Sequence, residues 1–87
     1  MAYTIEFSRP ARRWIRKLDQ SIKRRISARI DSLTEDPRPP GCIQLQGHEE
    51  PPLYRVRVGD YRIIYCIEDD KLVVLIVRMG HRSDVYD

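Results

Sequence analysis

The sequence predicts an α+β domain: an N-terminal strand and an antiparallel helical hairpin packed on one face of a small, mainly antiparallel sheet, in the order β-α-α-β-β-β. Three observations carry this expectation. Residues 11–33 hold two apolar runs at helical spacing. Residues 54–65, YRVRVGDYRIIY, alternate in the manner of a β-hairpin about a two-residue Gly59-Asp60 turn. Residues 72–77, LVVLIV, form an unbroken apolar run suited to an interior strand. With 87 residues in all, the chain is expected to be one domain, 1–87, with a single modest core.

The elements follow in order. Residues 2–7 place Tyr3, Ile5 and Phe7 on one face of a strand. Ser8 is a suitable N-cap, with Pro10 in the first helical turn. Ala11, Trp14, Ile15 and Leu18 then fall at i, i+3, i+4 and i+7, an amphipathic helix. Asp19 or Ser21 caps a second helix with the stripe Ile22, Ile26, Ile30 (or Ala28) and Leu33, which stops before Pro37. Residues 37–53 are rich in Pro and Gly and read as loop, with a short extended piece at residues 42–45. The hairpin comes next, then a turn at residues 68–71, the apolar strand 72–77 and a closing tail, MGHRSDVYD. Along the hairpin, parity sets Val56, Val58, Tyr61, Ile63 and Tyr65 on one face and Arg55, Arg57 and Arg62 on the other. The apolar set must meet the helices, so the arginines face outward.

Composition narrows the function classes. The chain is 41% hydrophobic and 33% charged, which suits a folded domain rather than a disordered one. It shows neither a membrane-length apolar stretch nor a signal-peptide pattern, so a cytoplasmic protein without a membrane partner is expected. Cys42 and Cys66 lack metal-ligand spacing and read as small hydrophobes. Charge is uneven: residues 1–29 hold nine Lys/Arg against two acids, and the remainder seven against eleven. Such a basic half suits a polyanion, nucleic acid first, with a solvated helical surface as the competing reading.

The arginine face raises the chemical question. Like charges placed opposite one another repel across a ladder, and an anion between them relieves that repulsion. Guanidinium forks match phosphate oxygens, so a phosphodiester is the natural guest. His81, Arg82 and Tyr86 follow the last strand closely enough to join the cluster. Phosphate binding alone makes a nucleic-acid-binding module; groups that also move protons make a nuclease. Carboxylates lie in turns (Asp60, Glu68, Asp69, Asp70) and in the Pro-rich loop (Glu49, Glu50), a poor arrangement for metal-assisted cleavage, so neither metal nor cofactor is expected. The remaining route is attack by an RNA 2′-hydroxyl on the adjacent phosphorus, and His81 supplies that region with an imidazole, the side-chain type most used for acid–base work.

QLQG at 44–47, LYRVRVGDYRIIY at 53–65 and GHRSDVY at 80–86, set in this order of elements, resemble the RelE/ParE toxin superfamily over nearly the whole chain. The resemblance implies the toxin of a type II toxin–antitoxin pair, with a RelB-like cognate antitoxin as partner. In the RelE-like branch it implies a ribosome-dependent, metal-independent endoribonuclease that cuts mRNA in the ribosomal A site; in the ParE-like branch, a gyrase inhibitor. A catalytically weak relative that binds RNA or antitoxin is a further alternative. Family site positions fall on Arg55, Arg57, Arg62, Arg82 and Tyr86, which favours the RelE-like branch. Arg57, Arg62, Arg82 and Tyr86 are thus the catalytic candidates and His81 the acid/base candidate. Arg55 joins Arg12, Arg13, Arg16, Lys17, Lys23, Arg24 and Arg25 as candidates for binding mRNA and the rRNA of the 70S ribosome. Relatives carry lysine at the positions of Arg55 and Arg57; arginine keeps the charge but hardly accepts a proton.

Overall fold

A computed structural model describes residues 2–82. Its elements are β1 (Thr4–Phe7), α1 (Arg9–Arg16), α2 (Gln20–Ser32), β2 (Ile43–Gln44), β3 (Leu53–Val58), β4 (Tyr61–Glu68) and β5 (Val73–His81). The strands form one sheet in the order β1-β5-β4-β3-β2. All neighbours are antiparallel except β1, which runs parallel to β5. The α-hairpin between β1 and the rest of the sheet supplies the crossover that this parallel pair needs. The two helices cover one face, α1 lying over β5 and α2 over β3.

Local chemistry explains the helix starts. The Ser8 hydroxyl accepts a hydrogen bond from the Ala11 N–H, and Asp19 accepts one from Ile22, each satisfying a donor left free by the first turn. The helical stripes converge on the sheet. Ala11, Ile26, Ile30 and Leu33 are buried against Val56, Ile63, Tyr65, Val74, Ile76 and Met79, while Trp14, Ile15, Leu18 and Ile22 pack around that core half-buried.

The linker after α2 is fastened to the sheet. Tyr65, fully buried, donates its hydroxyl hydrogen to the Pro37 carbonyl at 2.7 Å, and burial holds its pKa above the ordinary tyrosine range. Arg38 pairs with Asp69 of the β4–β5 turn at 3.0 Å, and the Tyr3 hydroxyl donates to the same carboxylate at 2.7 Å. Arg38, then Tyr3, hold the Asp69 carboxyl below its usual range.

Several strand limits differ from expectation: β1 begins at Thr4 rather than at residue 2, Leu53 opens β3 rather than closing the loop, and both ends of β5 move. The β4–β5 turn runs one residue further, with Leu72 in the left-handed region at φ 56°. β5 then continues through Met79, Gly80 and His81 rather than ending at Val77, because β4 offers partners as far as the Tyr61–His81 pair. No helix among the described residues is long and apolar enough to cross a membrane.

Candidate functional site

The β3–β4 turn keeps the two-residue geometry that its sequence requires. Gly59 takes φ 57°, which an L side chain rarely adopts, and Asp60 completes the turn. Val58 then faces Tyr61 and Arg57 faces Arg62 directly across the ladder. One step further from the turn, Arg55 stands opposite Ile64. Arg55, Arg57 and Arg62 therefore share the sheet face away from the helices, as parity requires.

On the other side of β4, Arg62 is paired with Gly80, which presents no side chain. The Arg62 guanidinium reaches the His81 carbonyl, its Nη2 donating at 3.3 Å. The backbone N–H of Arg82 donates to the Asp60 carbonyl at 2.7 Å, which ties the end of β5 to the hairpin turn. The Arg82 Nη1 lies 3.7 Å from the Asp60 carboxylate, both side chains being largely exposed. The outcome is a shallow groove of about 230 Å³ lined by Arg57, Gly59, Asp60, Tyr61, Arg62 and Arg82. Three guanidinium groups and a single carboxylate line it. Such a groove attracts an anion, and its donors are of the kind that engage phosphate oxygens in pairs.

The surroundings separate the remaining candidates. Arg55 is half-buried between Ile43 and Ile64, and its Nε is buried with no hydrogen-bond partner among the described residues. His81 pairs with Tyr61 and so belongs to the helix side of the sheet. Its ring packs edge-on against Tyr61 at 4.9 Å, and Tyr61 in turn meets Trp14 at 5.8 Å. It is the His81 backbone, not its ring, that meets the Arg62 guanidinium. Tyr86 lies outside the described residues. Arg12, Arg13, Arg16, Lys17, Lys23 and Arg24 sit on the helical layer, across the sheet from the groove, and all but Lys23 are exposed. Arg25, on the flank of α2, reaches the Gly59 turn. Among the described residues, no cluster of three or more His, Cys, Asp or Glu side chains is arranged to hold a metal ion.

Sequence reasoning missed Arg78, which faces outward beside Ile64 and extends the basic face. Strict alternation from the buried Val74 and Ile76 would have turned residue 78 toward the helices. A bulge prevents this. Tyr65 pairs with Ile76 and Ile64 with Arg78, so Val77 is the extra residue and every later side chain of β5 changes face. Met79 consequently points into the core, Gly80 comes beside Arg62, and His81 turns to Tyr61. The signal within 72–81 is the pair Arg78 and Met79: unbroken alternation would bury the charge and expose the apolar side chain, an inversion that one extra residue removes.

A family model described as "ParE toxin of type II toxin-antitoxin system, parDE" matches residues 5–86. The chain therefore belongs to the RelE/ParE superfamily of toxins from type II toxin–antitoxin systems. Its similarities are RelE-like. It is 30% identical over 88 residues to the mRNA interferase toxin RelE of Escherichia coli K12, covering 99% of this chain and 92% of that protein. With toxin RelG of Mycobacterium tuberculosis it shares 32% identity over 87 residues, 99% of this chain and 98% of the relative. The fold superposes on the toxin in the archaeal RelE–RelB complex of Pyrococcus horikoshii with a TM-score of 0.81 and 28% identity, covering 98% of this chain and all of that one.

Proposed function

We propose that this RelE-like toxin is an endoribonuclease that cuts mRNA in the A site of the 70S ribosome and so arrests translation. The observation that carries the reading is the convergence of Arg57, Arg62 and Arg82 on one groove at the hairpin turn. In this reading the groove receives the scissile phosphate, and the neighbouring 2′-hydroxyl of the substrate is the nucleophile, a route that needs no metal. Arg57 and Arg62 bind and polarise the phosphate; Arg82 stabilises the charge that develops on the phosphorane or the leaving 5′-oxygen. Arg55 extends the binding face. Tyr86 orients the 2′-hydroxyl or stacks on a base. The imidazole of His81, seated on Tyr61, serves as acid or base only by turning toward the groove. The basic helical residues meet rRNA. A RelB-like antitoxin neutralises the toxin in the cytoplasm, in keeping with the toxin–antitoxin complex that this fold resembles.

Primer-extension mapping of mRNA from induced cells tests the proposal, with cuts expected at A-site codons. Arg62→Ala and Arg82→Ala should each abolish growth arrest while the protein remains folded. Full toxicity in both variants would sink the site assignment. A second reading, inhibition of DNA gyrase, draws on the family model, whose description names a ParE toxin. DNA-damage signalling with intact mRNA after induction would decide for it.

A further inference from the structure

Arg25 lies on α2, one residue before the buried Ile26, and so flanks the apolar stripe rather than standing on the outer surface of the helix. Its guanidinium extends to the β3–β4 turn. A Cβ built on Gly59 would lie 2.8 Å from the Arg25 Nη2. Gly59 also lines the groove that holds Arg57, Arg62 and Arg82. The missing side chain at 59 thus lets a guanidinium from the helical layer reach the rim of the basic groove, around the end of the β3–β4 hairpin. None of the described ion pairs engages Arg25, whereas Arg82, which follows β5 and meets the same turn, lies against the Asp60 carboxylate. The Arg25 fork keeps its donors for a ligand.

We infer that Arg25 is a further substrate-binding residue, taking a phosphate of the same RNA strand next to the one held in the groove. The strand then leaves the groove over the Gly59-Asp60 turn toward α2. This assigns Arg25 to the cleaved strand, apart from the helical residues that meet rRNA, and it rests on the proposed nuclease reading. A nucleic-acid backbone presents its charges in series, so a second guanidinium beside the first site fixes the direction of the strand as well as its affinity. Arginine suits this role because its fork engages two phosphate oxygens at once.

Single-turnover cleavage of a programmed ribosome tests the inference, using mRNAs in which one linkage near the cut is replaced by a neutral methylphosphonate. With the wild-type toxin, one linkage adjacent to the scissile phosphate should be sensitive, its neutralisation slowing cleavage roughly 10- to 100-fold, the range of a charge-assisted hydrogen bond. Arg25→Ala should lose a similar factor on unmodified mRNA and become indifferent to that linkage. Arg25→Lys should recover part of both effects. Arg25 is exposed, and an unchanged melting temperature will show that the variant is folded. If Arg25→Ala slows cleavage while every methylphosphonate effect persists in full, Arg25 does not touch the cleaved strand and the inference fails alone. If the wild-type toxin cuts no mRNA in the ribosome, the nuclease reading fails and the inference falls with it.

Discussion

Replacing Ser8 with alanine should destabilise the fold by more than a helix cap is usually worth. The Ser8 hydroxyl has two duties. It accepts from the Ala11 N–H at 3.2 Å, closing the first turn of α1, and it donates to the Val77 carbonyl at 2.6 Å. Val77 is the extra residue of the β5 bulge, and the Ser8 N–H bonds the preceding carbonyl, that of Ile76, at 2.9 Å. Loss of an N-cap serine costs about 0.5–2 kcal/mol. Stranding a buried carbonyl costs about 1–3 kcal/mol, and the Val77 carbonyl should fall near the lower end, since its bond to Ser8 is only partly buried. The expected total is about 2 kcal/mol, or roughly 10 °C in melting temperature for a domain of this size. Ser8→Thr keeps both hydrogen bonds and should lose little. Ser8→Asp keeps the acceptor but not the donor and should fall between the two. Thermal unfolding followed by circular dichroism measures stability, and amide chemical shifts of residues 78–82 report on the bulge. A Ser8→Ala variant that loses no more than about 1 kcal/mol, the usual worth of an N-cap alone, or a Ser8→Thr variant as unstable as Ser8→Ala, would refute the reasoning.

Other expectations concern fastening and charge. Tyr65→Phe keeps the buried ring but strands the Pro37 carbonyl, so chemical denaturation should show a loss of about 1–3 kcal/mol. The Asp69 carboxyl sits below its ordinary range in the folded state, so its contribution is complete above the unfolded value of about 4 and disappears as pH falls through the folded one. Urea midpoints taken between pH 7 and pH 2 should therefore drop further for the wild type than for Asp69→Asn. In the groove, loss of growth arrest in Arg62→Ala and Arg82→Ala should come with a melting temperature close to wild type, because Arg82 is largely exposed and neither residue belongs to the buried core.

Much of this protein was determined by sequence alone. The helical stripes, the Ser8 and Asp19 caps, the Gly59-Asp60 turn and the Arg57–Arg62 pairing are all local. Periodicity and turn chemistry act over a few residues, and a two-residue turn leaves the register of its hairpin no freedom. The outward face of Arg55, Arg57 and Arg62 follows from that register once the apolar set has helices to meet. The tertiary structure decided what depends on two segments at once. β1 docks parallel on β5 through a crossover, which no pattern within residues 4–7 encodes. The bulge at Val77 reverses the alternation of β5, sending Arg78 outward and the His81 ring to Tyr61, because it is a mismatch between two strands rather than a property of one. Arg82 joins Arg57 and Arg62 because its backbone bonds Asp60, 22 residues earlier in the chain. The approach of Arg25 from α2 to Gly59 of the hairpin turn is likewise a contact between layers.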